Sequence, residues 1–219
     1  MVFNYQNYQD ISIENKRFYQ ISDETFYPSI TTVLGKTLPQ AKIDILENWK
    51  NRLGSAEASK KASAAAADRG TTVHKLIESY LKKEPIEESK YPQAIFQIFN
   101  SLKIELSNIN KVYGQEVVLY SDTFGIAGRC DLIGEYKNEL CVVDYKTSTY
   151  VKNESDIEDY FIQATFYAMA HNEMFNTDIS KIIILMGTEK SLPLIFKKTI
   201  SEELVEKLFQ RKKQFISSL

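Results

Sequence analysis

The chain has 219 residues, a net charge of −2 at pH 7, 43% hydrophobic and 12% aromatic side chains, and two cysteines. That length buries a core without disulfides, and two cysteines with two histidines are too few for an iron–sulfur cluster or a structural zinc site built by this chain alone. No basic apolar leader opens the sequence and no apolar run reaches the roughly 20 residues of a membrane span, so a soluble, reducing, cytoplasmic setting with no membrane partner is expected.

Residues 11–27 read as a short hairpin, with alternating apolar positions around Glu14, Asn15 and Lys16. Ser29 is placed to N-cap a short helix that Gly35 ends. The hydroxyls of Ser29, Thr31 and Thr32 cluster at its start, where ordinary capping accounts for them. TLPQ at 37–40 has the form of a capping box and opens a helix to about residue 53, with Ile43, Leu46 and Trp49 on one stripe and Trp49 as a core anchor. Gly54 breaks the pattern. Residues 55–68 are rich in Ala, Ser and Lys and predict an exposed helix. A separate helix begins at Arg69, with Val73, Leu76 and Ile77 inward and His74 one turn before Glu78. After a polar loop, 91–110 predicts an amphipathic helix whose apolar face includes Ile95, Phe96, Phe99, Leu102, Ile104 and Leu106.

Strands follow. Over 111–120, period 2 places Val112, Gly114, Glu116, Val118 and Tyr120 on one face. Strands at 126–134 and 139–147 come next. SDIE at 155–158 has capping-box form and starts a helix to about residue 175, with Ile157, Phe161, Ala164, Ala168 and His171 on one stripe and Gln163 and Tyr167 at its border. The apolar run at 181–187 predicts a buried strand and 192–199 a further one. Ser201 caps a final helix, with Lys207, Arg211, Lys212 and Lys213 in its later turns. There is no internal repeat and no Gly-rich phosphate loop, which argues against a nucleotide cofactor. The order predicts an α/β fold with a mixed sheet and helices on both faces, in one domain.

Charge is unevenly spread. Over 36–75, eight basic residues (36, 42, 50, 52, 60, 61, 69, 75) face four acidic ones (44, 47, 57, 68). The stretch 125–148 carries the chemistry. Lys137 and Asn138 fit a two-residue turn, so residue 136 faces 139 and Asp131 falls opposite Asp144. Opposed residues share a face with Cβ atoms about 5 Å apart, and Lys146 joins that face by period 2. Two adjacent acids and an amine call for a divalent cation. The same register sends Cys130 and Cys141 to the other face, as small buried hydrophobes.

GRCD at 128–131, twelve intervening residues, and DYK at 144–146 resemble the core of the PD-(D/E)XK nucleases. His74 and QATFY at 163–167 resemble the RecB-like exonuclease branch. YPSITTVL at 27–34, the Trp49 helix and RGTTVHKLIE at 69–78 are similar to the family of mitochondrial genome maintenance exonucleases and their phage relatives. The resemblance covers about 27–215. It implies a restriction-endonuclease-like core at 111–200, preceded by an N-terminal hairpin region at 1–28 and a helical arch at 29–110, and closed by a C-terminal helix at 201–219. It implies that Asp131, Asp144, His74 and the Tyr145 carbonyl hold one or two Mg²⁺ or Mn²⁺ ions. Lys146 is then the catalytic lysine, with Gln163 and Tyr167 orienting it or touching DNA. Phosphate contacts are implied for Ser29, Thr31, Thr32, Arg69, Arg129, Thr147 and Ser148. Glu116 and Glu78 read equally as outer acids of the site or as solvated carboxylates. Cys130 stands where the name motif has Pro. The implied activity is a metal-dependent DNA exonuclease on single strands or flaps, acting as a monomer, in the host cytoplasm if phage-encoded. The competing readings are a structure-specific endonuclease of the same fold and a silent DNA-end-binding module.

Overall fold

The computed structural model describes residues 2–14, 16–189 and 192–218. Three short strands come first: β1 (Asp10–Ile13), β2 (Lys16–Gln20) and β3 (Phe26–Pro28), antiparallel in that order. The expected hairpin is present with a third strand added; Asn15 of its turn lies outside the described residues. Helices α1 (Ile30–Lys36), α2 (Gln40–Arg52), α3 (Ala56–Leu81) and α4 (Gln93–Leu106) follow. A second sheet takes β4 (Ile109–Ser121), β5 (Ile126–Tyr136), β6 (Glu139–Ser148), β7 (Lys181–Thr188) and β8 (Leu194–Thr199) in that spatial order. Helix α5 (Glu158–Phe175) carries the chain from β6 to β7, which run parallel, and α6 (Glu202–Ser217) closes it. The other neighbours are antiparallel, so the sheet is mixed, as the element order predicts.

Alternation along β6 and β7 separates two cores. Val142, Ile182, Ile184 and Met186 pack with residues of α1, α5 and α6, among them Val33, Phe166 and Leu208. Cys141, Val143, Ile183 and Leu185 pack with Val73, Leu76, Phe99 and Leu102 of α3 and α4. A strand covered on both faces has no polar side, which is why β7 reads as an unbroken apolar run. The stretch 29–110 is therefore not one cover. Helix α1 belongs to the first core, and α4 with the second half of α3 to the second. Only α2 and the first half of α3 stand out: α2 buries no residue, and over 56–68 Ser59 alone is buried.

Several local expectations give way to tertiary packing. Trp49 is half-buried rather than a core anchor and Leu46 is exposed, because α2 lies off both cores. Ile104 is 77% exposed, on the outer face of α4. That helix ends at Leu106, and Ile109 and Asn110 already belong to β4. Thr37 forms no capping box, since its hydroxyl donates to Val33 O at the end of α1 (2.8 Å) and Pro39 takes the cap of α2. Gly35 lies inside α1, which ends at Thr37. The capping box before α5 uses Asn153 and Asp156 rather than Ser155. No break separates 55–68 from Arg69. Helix α3 runs through Gly70, where a Cβ would lie 3.8 Å from Thr147 Oγ1, in ordinary contact with β6. Arg211, one of the basic residues in the later turns of α6, is buried. It donates to Thr37 Oγ1 (2.6 Å), Leu34 O (2.7 Å) and Asp159 (2.8 Å), and Asp159 also accepts from Lys42 of α2 (2.8 Å). Among the described residues no helix is long and apolar enough to cross a membrane.

Candidate active site

The β5–β6 hairpin has the expected register. Tyr136 pairs with Glu139, and Lys137 and Asn138 both have positive φ (52° and 66°), the geometry that matches the strands' twist. Lys137 bears this without being Gly or Asn because its N–H donates to Asn108 O (2.9 Å), while Asn138 N–H donates to Asn110 Oδ1 (2.8 Å). Pairing runs up to Leu132–Val143 and stops one step before Asp131 and Asp144. There the strands part. The Asp131 carboxylate takes the place of a ladder partner, accepting the Tyr145 N–H at 2.7 Å. Strand β6 continues along β7, with Asp144 beside Ile184.

This opening brings the candidate residues together. Asp144 is 1% exposed; its Oδ2 pairs with the Lys146 ammonium, and its Oδ1 has no hydrogen-bond partner among the described residues. Lys146 lies 5.0 Å from the centroid of the Tyr160 ring on α5. From α3, His74 Nε2 donates to the Tyr145 carbonyl (2.9 Å). That carbonyl can only accept, so the proton sits on Nε2 and leaves Nδ1 facing Asp131 (3.6 Å) and Glu116 (3.8 Å). The ligand atoms of His74, Glu116 and Asp131 lie within 4.8 Å of one another. On α5, Gln163 donates to Tyr167 Oη (3.0 Å). Tyr167 lies close over β5 at Gly128, where any Cβ would come within 2.9 Å of its ring.

Burial raises the Asp144 carboxyl to about 6, and Asp131 adds to this against the pull of Lys146 and His74. Burial also opposes charge on Lys146, but Asp144 and Asp131 hold the ammonium above its usual value. His74 is likewise raised, since Asp131 and Glu116 outweigh its burial. Three carboxylates, an imidazole and a backbone carbonyl converge, and Asp144 Oδ1 is buried there without a partner among the described residues. Hard oxygen donors with one imidazole fit a divalent cation.

Not every residue implied by resemblance sits in this opening. Ser29 is buried and caps α1, accepting Thr32 N–H (3.0 Å) and donating to Thr32 Oγ1, which in turn donates to Arg17 O. Thr31 is exposed beside them. Arg129 donates to Glu116 O (3.1 Å). Arg69 lies beside Thr147 (3.5 Å) and pairs with Glu189 (2.6 Å). Ser148 donates to Tyr150 O (2.7 Å). Glu78 pairs with Lys82 on the surface of α3. The face expected for the cysteines holds for Cys141 alone. Cys130 packs with Ile30, Phe166 and Tyr167 in the first core while Leu132, two residues on, packs in the second, so alternation along β5 fails between them. Sequence reasoning missed Tyr160 and Glu189. The spacing Tyr160, Gln163, Tyr167 is a helical stripe and carried a signal for the first; nothing local marked the second.

Comparison with known proteins places the chain in a family. The model of the PD-(D/E)XK nuclease superfamily matches residues 97–217. Mitochondrial genome maintenance exonuclease 1 of Xenopus tropicalis is 27% identical over 178 residues, covering 76% of this chain and 50% of that protein. Its Homo sapiens counterpart is 30% identical over 144 residues, covering 64% and 40%. The chain thus spans half or less of the length of these relatives. A solved structure of a candidate exonuclease from Eubacterium rectale superposes with a TM-score of 0.46 at 12% identity, over 70% of this chain and 65% of that one. Nucleases of this superfamily use divalent metal ions. The superfamily match takes in more than half of the residues, including both acids and the lysine, and the chain belongs to the PD-(D/E)XK nuclease superfamily.

Proposed function

We propose that this protein is a Mg²⁺- or Mn²⁺-dependent DNA exonuclease acting on single-stranded ends or flaps. The observation that carries the reading is the opening between β5 and β6, where Asp131, Asp144, Lys146 and His74 meet. Asp131, Asp144, His74 and the Tyr145 carbonyl would hold the cation. When bound, it supplies positive charge to a phosphoryl oxygen and acidifies a water. Lys146 donates a hydrogen bond to a non-bridging oxygen as charge grows there. The water gives up a proton as its oxygen bonds to phosphorus, the ester P–O bond breaks with its electron pair leaving on the alkoxide oxygen, and that oxygen takes up a proton from solvent to become a hydroxyl. Tyr160 under the Lys146 ammonium restricts where that amine can go.

Phosphate contacts fall to Arg69, Thr147 and Thr31, whereas Ser29, Thr32, Arg129 and Ser148 have polar atoms committed inside the protein. Support for a single strand comes from α2 and the first half of α3. They expose Lys50, Arg52, Lys60 and Lys61, positive charge of the kind that tracks an unpaired strand's backbone without base preference, with Trp49 of α2 half-buried among them. The reading requires neither a second copy nor a nucleotide cofactor. Digestion of 5′- and 3′-labelled single strands, flaps, duplex and circular single strands tests it. Asp144→Asn should abolish cleavage in Mg²⁺ while strand binding persists. Full activity in that variant sinks the assignment, and cleavage of end-free circles would replace the exonuclease with an endonuclease.

A further inference from the structure

Glu116 interrupts a long extended strand. Its φ is +52°, a left-handed value that a side chain larger than glycine keeps only where its surroundings impose it. The residues on either side pair normally with β5, Gln115 with Leu132 and Val117 with Cys130. The carbonyl of Glu116 accepts from Arg129 Nη1 at 3.1 Å. Arg129 stands two residues before Asp131 on the neighbouring strand, and its Nη2 lies 3.8 Å from Asp10 of β1. The Glu116 carboxylate meanwhile lies 3.8 Å from His74 Nδ1 and within the group formed with Asp131. One guanidinium thus grips the peptide whose turned backbone delivers an acid to the site. Side-chain direction in a strand follows backbone conformation, so an extended Glu116 would carry its carboxylate elsewhere.

We propose that Glu116 is a metal-binding carboxylate and that Arg129 is the positioning residue that holds it there through the Glu116 carbonyl. This rests on the divalent-metal reading above and gives Arg129 a role other than phosphate contact. A guanidinium suits the task because it stays charged and donates in a fixed fork. Groups that orient metal ligands change affinity by about 10–100-fold when removed.

The test titrates Mn²⁺ calorimetrically into the DNA-free chain, as wild type, Glu116→Gln and Arg129→Met. Far-UV circular dichroism checks folding. Both variants should bind Mn²⁺ about tenfold more weakly, and Arg129→Lys should recover part of the loss. A second arm measures single-strand binding in Ca²⁺ over a range of salt. Arg129→Met should keep the wild-type log–log slope. Wild-type Mn²⁺ affinity in Arg129→Met, with a salt slope lower by about 0.7, would make Arg129 a phosphate contact and overturn the proposal. Wild-type affinity in Glu116→Gln overturns it too, and that near-isosteric variant carries the test if Arg129→Met does not fold. A wild-type chain that binds neither Mn²⁺ nor Mg²⁺ overturns the metal reading itself, a result distinct from either variant's failure.

Discussion

Replacing His171 with Gln should flatten the response of this protein to mild acid. The ring is fully buried, between Phe3 (4.7 Å between centroids) and Phe175 (4.8 Å). Thr177 Oγ1 donates its only proton to Asn172 Oδ1 (2.8 Å), so it accepts from His171 Nδ1–H (2.8 Å); Tyr5 then donates to Nε2 (3.0 Å). Both nitrogens are satisfied in the neutral ring, and burial alone pushes its pKa from 6.5 down to about 4. In the unfolded chain the ring titrates near 6.5. Above that pH both states are neutral. Between 6.5 and 4 only the unfolded state takes up the proton, so folding stability falls by about 1.4 kcal/mol per pH unit, about 3 kcal/mol in all, and stops falling below 4. His171→Gln has no such group. Urea midpoints for both proteins between pH 7.5 and 4 give the difference directly. Whatever advantage the wild type holds at neutral pH should shrink by about 3 kcal/mol at pH 4. A difference that stays flat across that range would refute the neutral, doubly bonded histidine.

Lys146→Met should lower kcat by about 10²–10³ in single-turnover cleavage, the cost of one lost donor to a developing anion, with strand affinity little changed. Unaltered kcat would remove Lys146 from the mechanism. Glu189→Gln releases Arg69 from its 2.6 Å ion pair. Single-strand affinity by fluorescence anisotropy should rise up to about fivefold, the worth of a partly exposed pair, with the gain fading at high salt; weaker binding would mean that Glu189 orients Arg69 instead. Gly128→Ala places a methyl group 2.9 Å from Tyr167 and 3.0 Å from Ile30. It should cost about 1–3 kcal/mol in denaturant unfolding and lower kcat through Tyr167; neutral stability would show that the β5–α5 contact yields.

The hairpin was legible because two periods agree. Alternation put the acids on one face, and only a two-residue turn at Lys137–Asn138 keeps that register. The βαβ crossover and the double-faced β7 were legible from run lengths and order. Other features depend on partners remote in sequence. Glu116 carries no glycine or asparagine to announce a left-handed residue; Arg129 on the next strand bonds its carbonyl. Cys130 and Leu132, two apart on one strand, pack in different cores, which period 2 does not foresee. Thr37 and Ser155 have the form of capping boxes, but Val33 O and the Asn153–Asp156 pair decide what is capped. Glu189 meets Arg69 across 120 positions, which no window of sequence covers.

Helix α3 is one rod of 26 residues, roughly 39 Å long at 1.5 Å per residue. Its exposed first half and His74 are therefore parts of a single lever. The fulcrum is the packing of Val73, Leu76 and Ile77 on the sheet. His74 lies inside that packed stretch, between Val73 and Leu76, so the fulcrum itself holds the imidazole against Asp131 and Glu116 while the arm before it projects free. No break in the helix separates that free arm from the residue that faces the two acids.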